Sequence, residues 1–145
     1  MPIASRVSSY ELDRIATRAY VNQVFKVLLV DAPGSTFDAD DPLGTVIANE
    51  VTDGLGGYTR QQIGFTTSDI GLYESGKVPF ARKAATFVHN NQPGQAYRFS
   101  HVVVLTPDES QVLCSTKLAG RATLSDGQAA IFYFDFTLYG VFVAA

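Results

Sequence analysis

Apolar and polar residues alternate most strictly near the C-terminal end, where Phe132, Phe134, Phe136 and Leu138 interleave with Tyr133, Asp135, Thr137 and Tyr139. Successive side chains of a strand point to opposite faces, so this run predicts a strand with one buried and one wet face. Burying four such side chains is worth roughly 1.5–3 kcal/mol each, which rivals the ~5–15 kcal/mol net stability of a domain. The strand is therefore expected near the centre of the fold.

Similar signals recur upstream. Phe25–Asp31 is a compact apolar run closed by Ala32-Pro33-Gly34, as expected of a strand that ends in a turn. Residues 58–66 predict a strand with Gln61, Ile63 and Phe65 on one face. Ala84–His89 is short and β-prone, stopped by Asn90-Asn91-Gln92-Pro93-Gly94. Tyr97, Phe99, His101, Val103 and Leu105 share one face of a central strand, stopped by Thr106-Pro107-Asp108. Val112–Leu118 and Arg121–Leu124 follow as two strands around Gly120, and Ser125–Gln128 is a tight turn of the kind that joins antiparallel strands.

One segment has helical spacing instead. Ser8 and Glu11 match a capping box, and Leu12, Ile15, Ala16 and Ala19 form one narrow apolar stripe, which predicts a helix over 9–20 that must dock on something larger. Between Pro33 and Gly57 the chain is polar and turn-rich, with a brief strand expected at Thr45–Ile47 and the remainder read as an irregular contact arm. Residues 67–83 are again mixed. Many short strands separated by turns, after one small helix, predict a mainly β fold: an antiparallel β-sandwich, jelly-roll or immunoglobulin-like. A single domain over 1–145 is expected, with residues 1–23 as a helical arm.

Composition sharpens this picture by exclusion. At 145 residues with 46% hydrophobic content, the chain is long and apolar enough to build a core without disulfides. Its net charge is −3 and its Lys and Arg are scattered, so nucleic acid is not an expected partner. The N-terminus becomes charged too early for a secretory signal, and no apolar run approaches the ~20 residues of a membrane helix. The expected setting is the reducing cytosol, with no membrane partner.

The chemistry-bearing residues read as structural. His101 falls in phase with core residues and His89 precedes a turn, so both are expected as hydrogen-bonded structural histidines rather than metal ligands. Asp38, Asp40 and Asp41 resemble the start of a calcium loop, but the twelfth position is Asn49 where a Glu is needed. Cys114 is the sole cysteine and sits in a strand pattern, away from any helix N-terminus that would activate it. No G-x-S-x-G elbow occurs, and Gly54, Gly56 and Gly57 lack phosphate-loop spacing. Neither a catalytic residue nor a cofactor or metal is expected. Tyr58, Tyr73, Tyr97, Tyr133 and Tyr139 read as half-buried wall residues, with sugar stacking or interface anchoring as the functional alternatives.

Four segments carry a resemblance: VFKVLLVDAPG (Val24–Gly34), NEVTDGLGGYTRQQIGF (Asn49–Phe65), YRFSHVVVLTPDESQVLCSTKLAG (Tyr97–Gly120) and RATLSDGQAAIFYFDFTLYG (Arg121–Gly140). Together they resemble a family of small bacteriophage virion proteins, tail-fibre-like or capsid-decoration proteins with a Gly-Gly-Tyr-x-Arg-Gln strand. The stretch Thr67–Lys83 departs from that pattern by its length. The resemblance implies a non-enzymatic structural subunit of a phage particle, present in many copies and made in the host cytoplasm, with no catalytic residues to carry over. Its expected partners are other virion proteins, major capsid or tail, and further copies of itself as a homo-oligomer. A capsid decoration or cement role leads, followed by a tail fibre or tail-knob subunit and then by a carbohydrate-binding sandwich using Tyr73 or Tyr97. Candidate interface residues are Leu12, Ile15, Tyr58, Arg60, Tyr73, Val141 and Phe142. The C-terminal residues 138–145 are apolar enough to be expected against the chain's own core or a sister subunit.

Overall fold

A computed structural model describes residues 9–37, 40–71, 80–137 and 140–144, the backbone alone at 9–13, 16, 137 and 140–144. The alternating C-terminal run becomes β6 (Ala129–Thr137), the middle strand of a sheet in the order β3-β6-β7, between β3 (Lys83–Val88) and β7 (Gly140–Ala144). Phe134 and Phe136 are buried, Phe132 packs half-buried beside them, and Ile131 and Tyr133 point outward. The expected buried and exposed faces are therefore present, although the exposed one carries Ile131 and Tyr133 rather than charged side chains. The apolar C-terminus pairs with its own chain, Val141 opposite Phe136 and Val143 opposite Phe134.

The second sheet has the order β2-β1-β4-β5, built from β1 (Val24–Val30), β2 (Gln61–Gly64), β4 (Tyr97–Leu105) and β5 (Val112–Leu124). All ladders between named strands are antiparallel. The two sheets enclose one core containing Phe25, Val27, Leu29, Ile63, Phe87, Phe99, Phe134 and Phe136. The molecule is thus mainly β, an antiparallel sandwich, with α1 (Ser9–Tyr20) at its N-terminal side. Tyr20 roots that helix in the body: its ring lies 5.6 Å from Phe25 and 4.8 Å from Phe80.

β4 departs from its expected phase. Phe99 pairs with Ala122 but His101 pairs with Lys117, so three extra residues of β5 are accommodated there. This irregularity passes the strand through a half-period at Ser100. Tyr97, Phe99, Val102 and Val104 face the core between the sheets, whereas Val103 and Leu105 face a second cluster on the outer side. A single face for 97, 99, 101, 103 and 105 is therefore incorrect, because a bulge exchanges the faces. The same irregularity replaces the expected break at Gly120, and β5 runs as one 13-residue strand.

The segment expected as a contact arm is also different. Residues 43–47 form a short helix, α2 (Leu43–Ile47), not a strand, opened by Pro42 with the Thr45 amide bonded to its carbonyl at 3.0 Å. Val46 is fully buried with Leu28, Val30, Val103 and Leu105, and Phe37, Leu43 and Ile47 pack alongside. One helical turn lets these side chains descend together onto the sheet, and that burial overrides the β preference of Thr-Val-Ile. Phe37 and α2 are therefore a roof over the four-stranded sheet. β2 is likewise shorter than the expected 58–66, since Tyr58 and its neighbours leave the ladder.

Candidate functional site

The fold binds several titratable side chains into structural pairs. β2 pairs with β1 only as far as Val27↔Gln61, which leaves the next amides on that side of β1 without a partner in β2. Residues 49–51 and Tyr58 supply the missing bonds. The Val51 amide donates to Leu29 O at 3.0 Å, the Asp31 amide donates to Asn49 O at 2.9 Å, and the Leu29 amide donates to the Tyr58 hydroxyl at 3.1 Å. That hydroxyl donates in turn to Glu50 at 3.0 Å. Arg60 grips the same carboxylate through Nε at 2.9 Å and Nη2 at 2.7 Å, and reaches Glu109 at 3.3 Å. Burial is the main reason the Tyr58 phenol is held far above its usual titration range.

These contacts relocate two candidate interface residues. Tyr58 is 2% exposed and stacks on Phe87 at 5.9 Å, so it is a core residue and not a surface anchor. Arg60 is committed to an ion-pair network. Ile15 is exposed at 41%. Tyr73 lies outside the described residues, as do Ser8, Leu138 and Tyr139; Leu12, Val141 and Phe142 are placed by backbone only.

Both histidines are buried. His89 Nδ1 accepts from the Asn91 amide at 3.0 Å, so its proton belongs on Nε2, which donates to Gln95 O at 2.9 Å. Gly56, at φ +59°, is pressed against the same ring, and a Cβ there would stand 2.6 Å from it. The other histidine forms a pair that spacing alone did not reveal: Ser100 Oγ is 2.7 Å from His101 Nδ1. A hydroxyl beside an imidazole is the geometry of a nucleophile and its base. Here Ser100 Oγ also accepts from the Ala32 amide at 2.8 Å and lies 3.3 Å from Val30 O, with both residues 3% exposed or less. The pair fastens β4 to the end of β1 inside packed protein. Burial, followed by the Lys117 charge, lowers the His101 pKa.

The remaining chemistry is equally quiet. Burial pushes the Cys114 thiol up to about 11, the reverse of activation. Among the described residues no group of three His, Cys, Asp or Glu is placed to hold a metal ion, and no helix is long and apolar enough to cross a membrane. Open grooves of about 410 and 310 Å³ lie beside Glu50 and Arg98 and beside Asp41 and Ser110, with largely polar walls. Ligand sites are typically concave and apolar with a few convergent polar groups, which these are not.

The surface feature that stands apart is apolar. On the outer face of the three-stranded sheet, Val88 is 55% exposed, Ile131 51% and Tyr133 41%. At one end of that face Arg82 and Asp135 form a two-pronged ion pair, each bond 2.8 Å. No family model, curated protein or solved structure matches this chain.

Proposed function

We propose that this chain is a non-enzymatic structural subunit of a bacteriophage virion, a capsid decoration or cement protein that works through protein–protein contacts. The observation that carries the reading is the exposed, uncharged outer face of the β3-β6 pair, since solvent-facing apolar patches on folded chains mark surfaces made for contact. The ion pairs and histidines described above are spent on holding the sandwich together, which suits a rigid assembly module. Its partners would be a major capsid or tail protein and further copies of the chain. Its place would be the virion, after assembly in the host cytoplasm.

Adding the purified protein to particles stripped of it tests this directly. Saturable binding and a rise in the particles' melting temperature are expected; no binding and no change in melting would remove the cement role. Labelled protein seen only at the tail by electron microscopy would favour the fibre or knob alternative. For glycan recognition, Tyr97 offers no stacking platform, because it is 3% exposed.

A further inference from the structure

Phe37 and α2 sit on the four-stranded sheet through their side chains. Val46 is fully buried against Leu28, Val30, Val103 and Leu105, with Phe37 and Leu43 packed alongside. Among the described residues the backbone bonds here are local, Ser35 to Ala32 and both Thr45 and Val46 to Pro42. The two flanks are pinned beside one another at the end of β1: the Ala32 amide donates to Ser100 Oγ at 2.8 Å, and the Asp31 amide donates to Asn49 O at 2.9 Å. A short helix tied at both flanks and seated by apolar contact can lift while the ladders beneath it stay paired.

His101 lies in that seat. It is 1% exposed, and the Phe37 ring stands 4.9 Å from its own. Nδ1 meets Ser100 Oγ at 2.7 Å, whereas Nε2 is buried with no hydrogen-bond partner among the described residues. Across the ladder its register partner is Lys117. The carboxylates of the surrounding elements are engaged elsewhere: Asp31 with Arg121, Glu50 with Tyr58 and Arg60, and Asp40 and Asp41 beside Ser110 and Gln111, past the other end of β4. A second ring proton would place a charge and an N–H without an acceptor under Phe37, next to a lysine and away from those carboxylates. A buried group in that state is far costlier than the same group in water.

We propose that Phe37 and α2 form an acid-released lid: protonation of His101 lifts them from the four-stranded sheet and uncovers the apolar strip of Leu28, Val30, Val103 and Leu105. Such a strip is a contact surface that the protein keeps hidden at neutral pH. The lid is independent of the assembly reading above. While it is closed, burial and then the Lys117 charge hold the His101 pKa down. Once it is open, the ring returns toward its ordinary value of about 6.5. Closure is therefore fully favoured above about pH 6.5, and the open-to-closed ratio rises by at most about tenfold per pH unit below it, levelling where the closed form also takes the proton.

Thiol labelling of Val46→Cys in a Cys114→Ala background tests this. The reagent is 4,4′-dithiodipyridine, which reacts in acid, and each rate is divided by that of N-acetylcysteine at the same pH. The ratio should climb roughly threefold or more between about pH 7 and 5. Cys114 of the parent chain, whose buried thiol in β5 reports opening of the sandwich itself, should show a flat ratio. His101→Asn keeps a donor beside Ser100 Oγ but does not titrate, so the climb should vanish when it is added to Val46→Cys. A flat ratio for Val46→Cys, an equal climb with His101→Asn, or a parallel climb at Cys114 would each overturn the proposal. The unmodified protein provides a second measurement that needs no variant. By NMR, the Val46 amide should lose exchange protection, corrected for the intrinsic rate, over the pH range in which the His101 ring titrates, while the amides of β6 keep theirs. No loss at Val46, or a loss that does not track the ring, overturns it equally.

Discussion

Tyr58→Phe isolates one atom whose removal the structure makes costly. The ring stays, stacked on Phe87 and edge-on to Tyr97, so no cavity opens. The hydroxyl goes, and with it the acceptor for the Leu29 amide and one donor to Glu50. Leu29 is fully buried, so its N–H has no water to turn to. An unsatisfied buried donor costs about 1–3 kcal/mol, and loss of the bond to a carboxylate still held by Arg60 adds a smaller amount. A total of about 2–3 kcal/mol is expected, which for a chain of this size lowers Tm by roughly 6–10 °C. Urea unfolding gives the free energy, and hydrogen exchange gives the location: protection of the Leu29 amide should fall by more than that of Val27. Tyr133→Phe, an exposed control, should change stability by less than ~0.5 kcal/mol. If Tyr58→Phe matches that control and Leu29 remains equally protected, the hydroxyl does not cap the strand edge and the account of how β1 is completed is wrong.

Other outcomes follow from the same geometry. The His101 pKa is lowered in the folded state, so the unfolded chain binds the extra proton; stability should be complete above about pH 6.5 and fall as pH drops below it toward the folded value. His101→Asn should flatten that slope in denaturant titrations between about pH 5 and 7.5, and an unchanged slope would mean another group titrates there. The Arg82 guanidinium lowers the Asp135 pKa, so the pair's contribution is present above about pH 4 and lost as pH falls through the depressed folded value. Arg82→Met should therefore differ from the parent at neutral pH and low salt and converge with it in strong acid; a gap that persists in acid refutes the assignment. Gly56→Ala places a Cβ 2.6 Å from the His89 ring and 2.7 Å from Gln95 O at a left-handed φ, and a loss of about 3 kcal/mol is expected in thermal unfolding. Stability unchanged by that substitution would show that the His89 turn yields freely.

Legibility varied with how many faces of an element the fold buries. β6 was readable because one face is buried and the other wet, so its period survives in the residue types. β1 and β4 are covered on both faces, and a run such as Val102-Val103-Val104-Leu105 has no polar phase to reveal the bulge at Ser100. Tyr58 resembled a surface anchor because tyrosine is amphipathic, and only the end of the β1–β2 ladder shows why a hydroxyl is needed inside. The polar composition of 33–57 suggested an exposed arm, yet a few apolar residues at one helical turn were enough to seat it.

By itself the sequence determined the local, periodic part of this protein: a helix over 9–20, a β-rich body, turns at Gly and Asn, and phenyl rings inward along β6. Such features depend on neighbours one to four residues apart, and the order of residue types records them. Tertiary structure decided what depends on distant partners: the bulge that exchanges the faces of β4, the conversion of 43–47 into a roof, the burial of Tyr58, and the Ser100–His101 pair at the end of β1. It also decided that one sheet is covered and the other left open. That outcome follows from a competition for apolar surface across the whole chain, which no local pattern encodes.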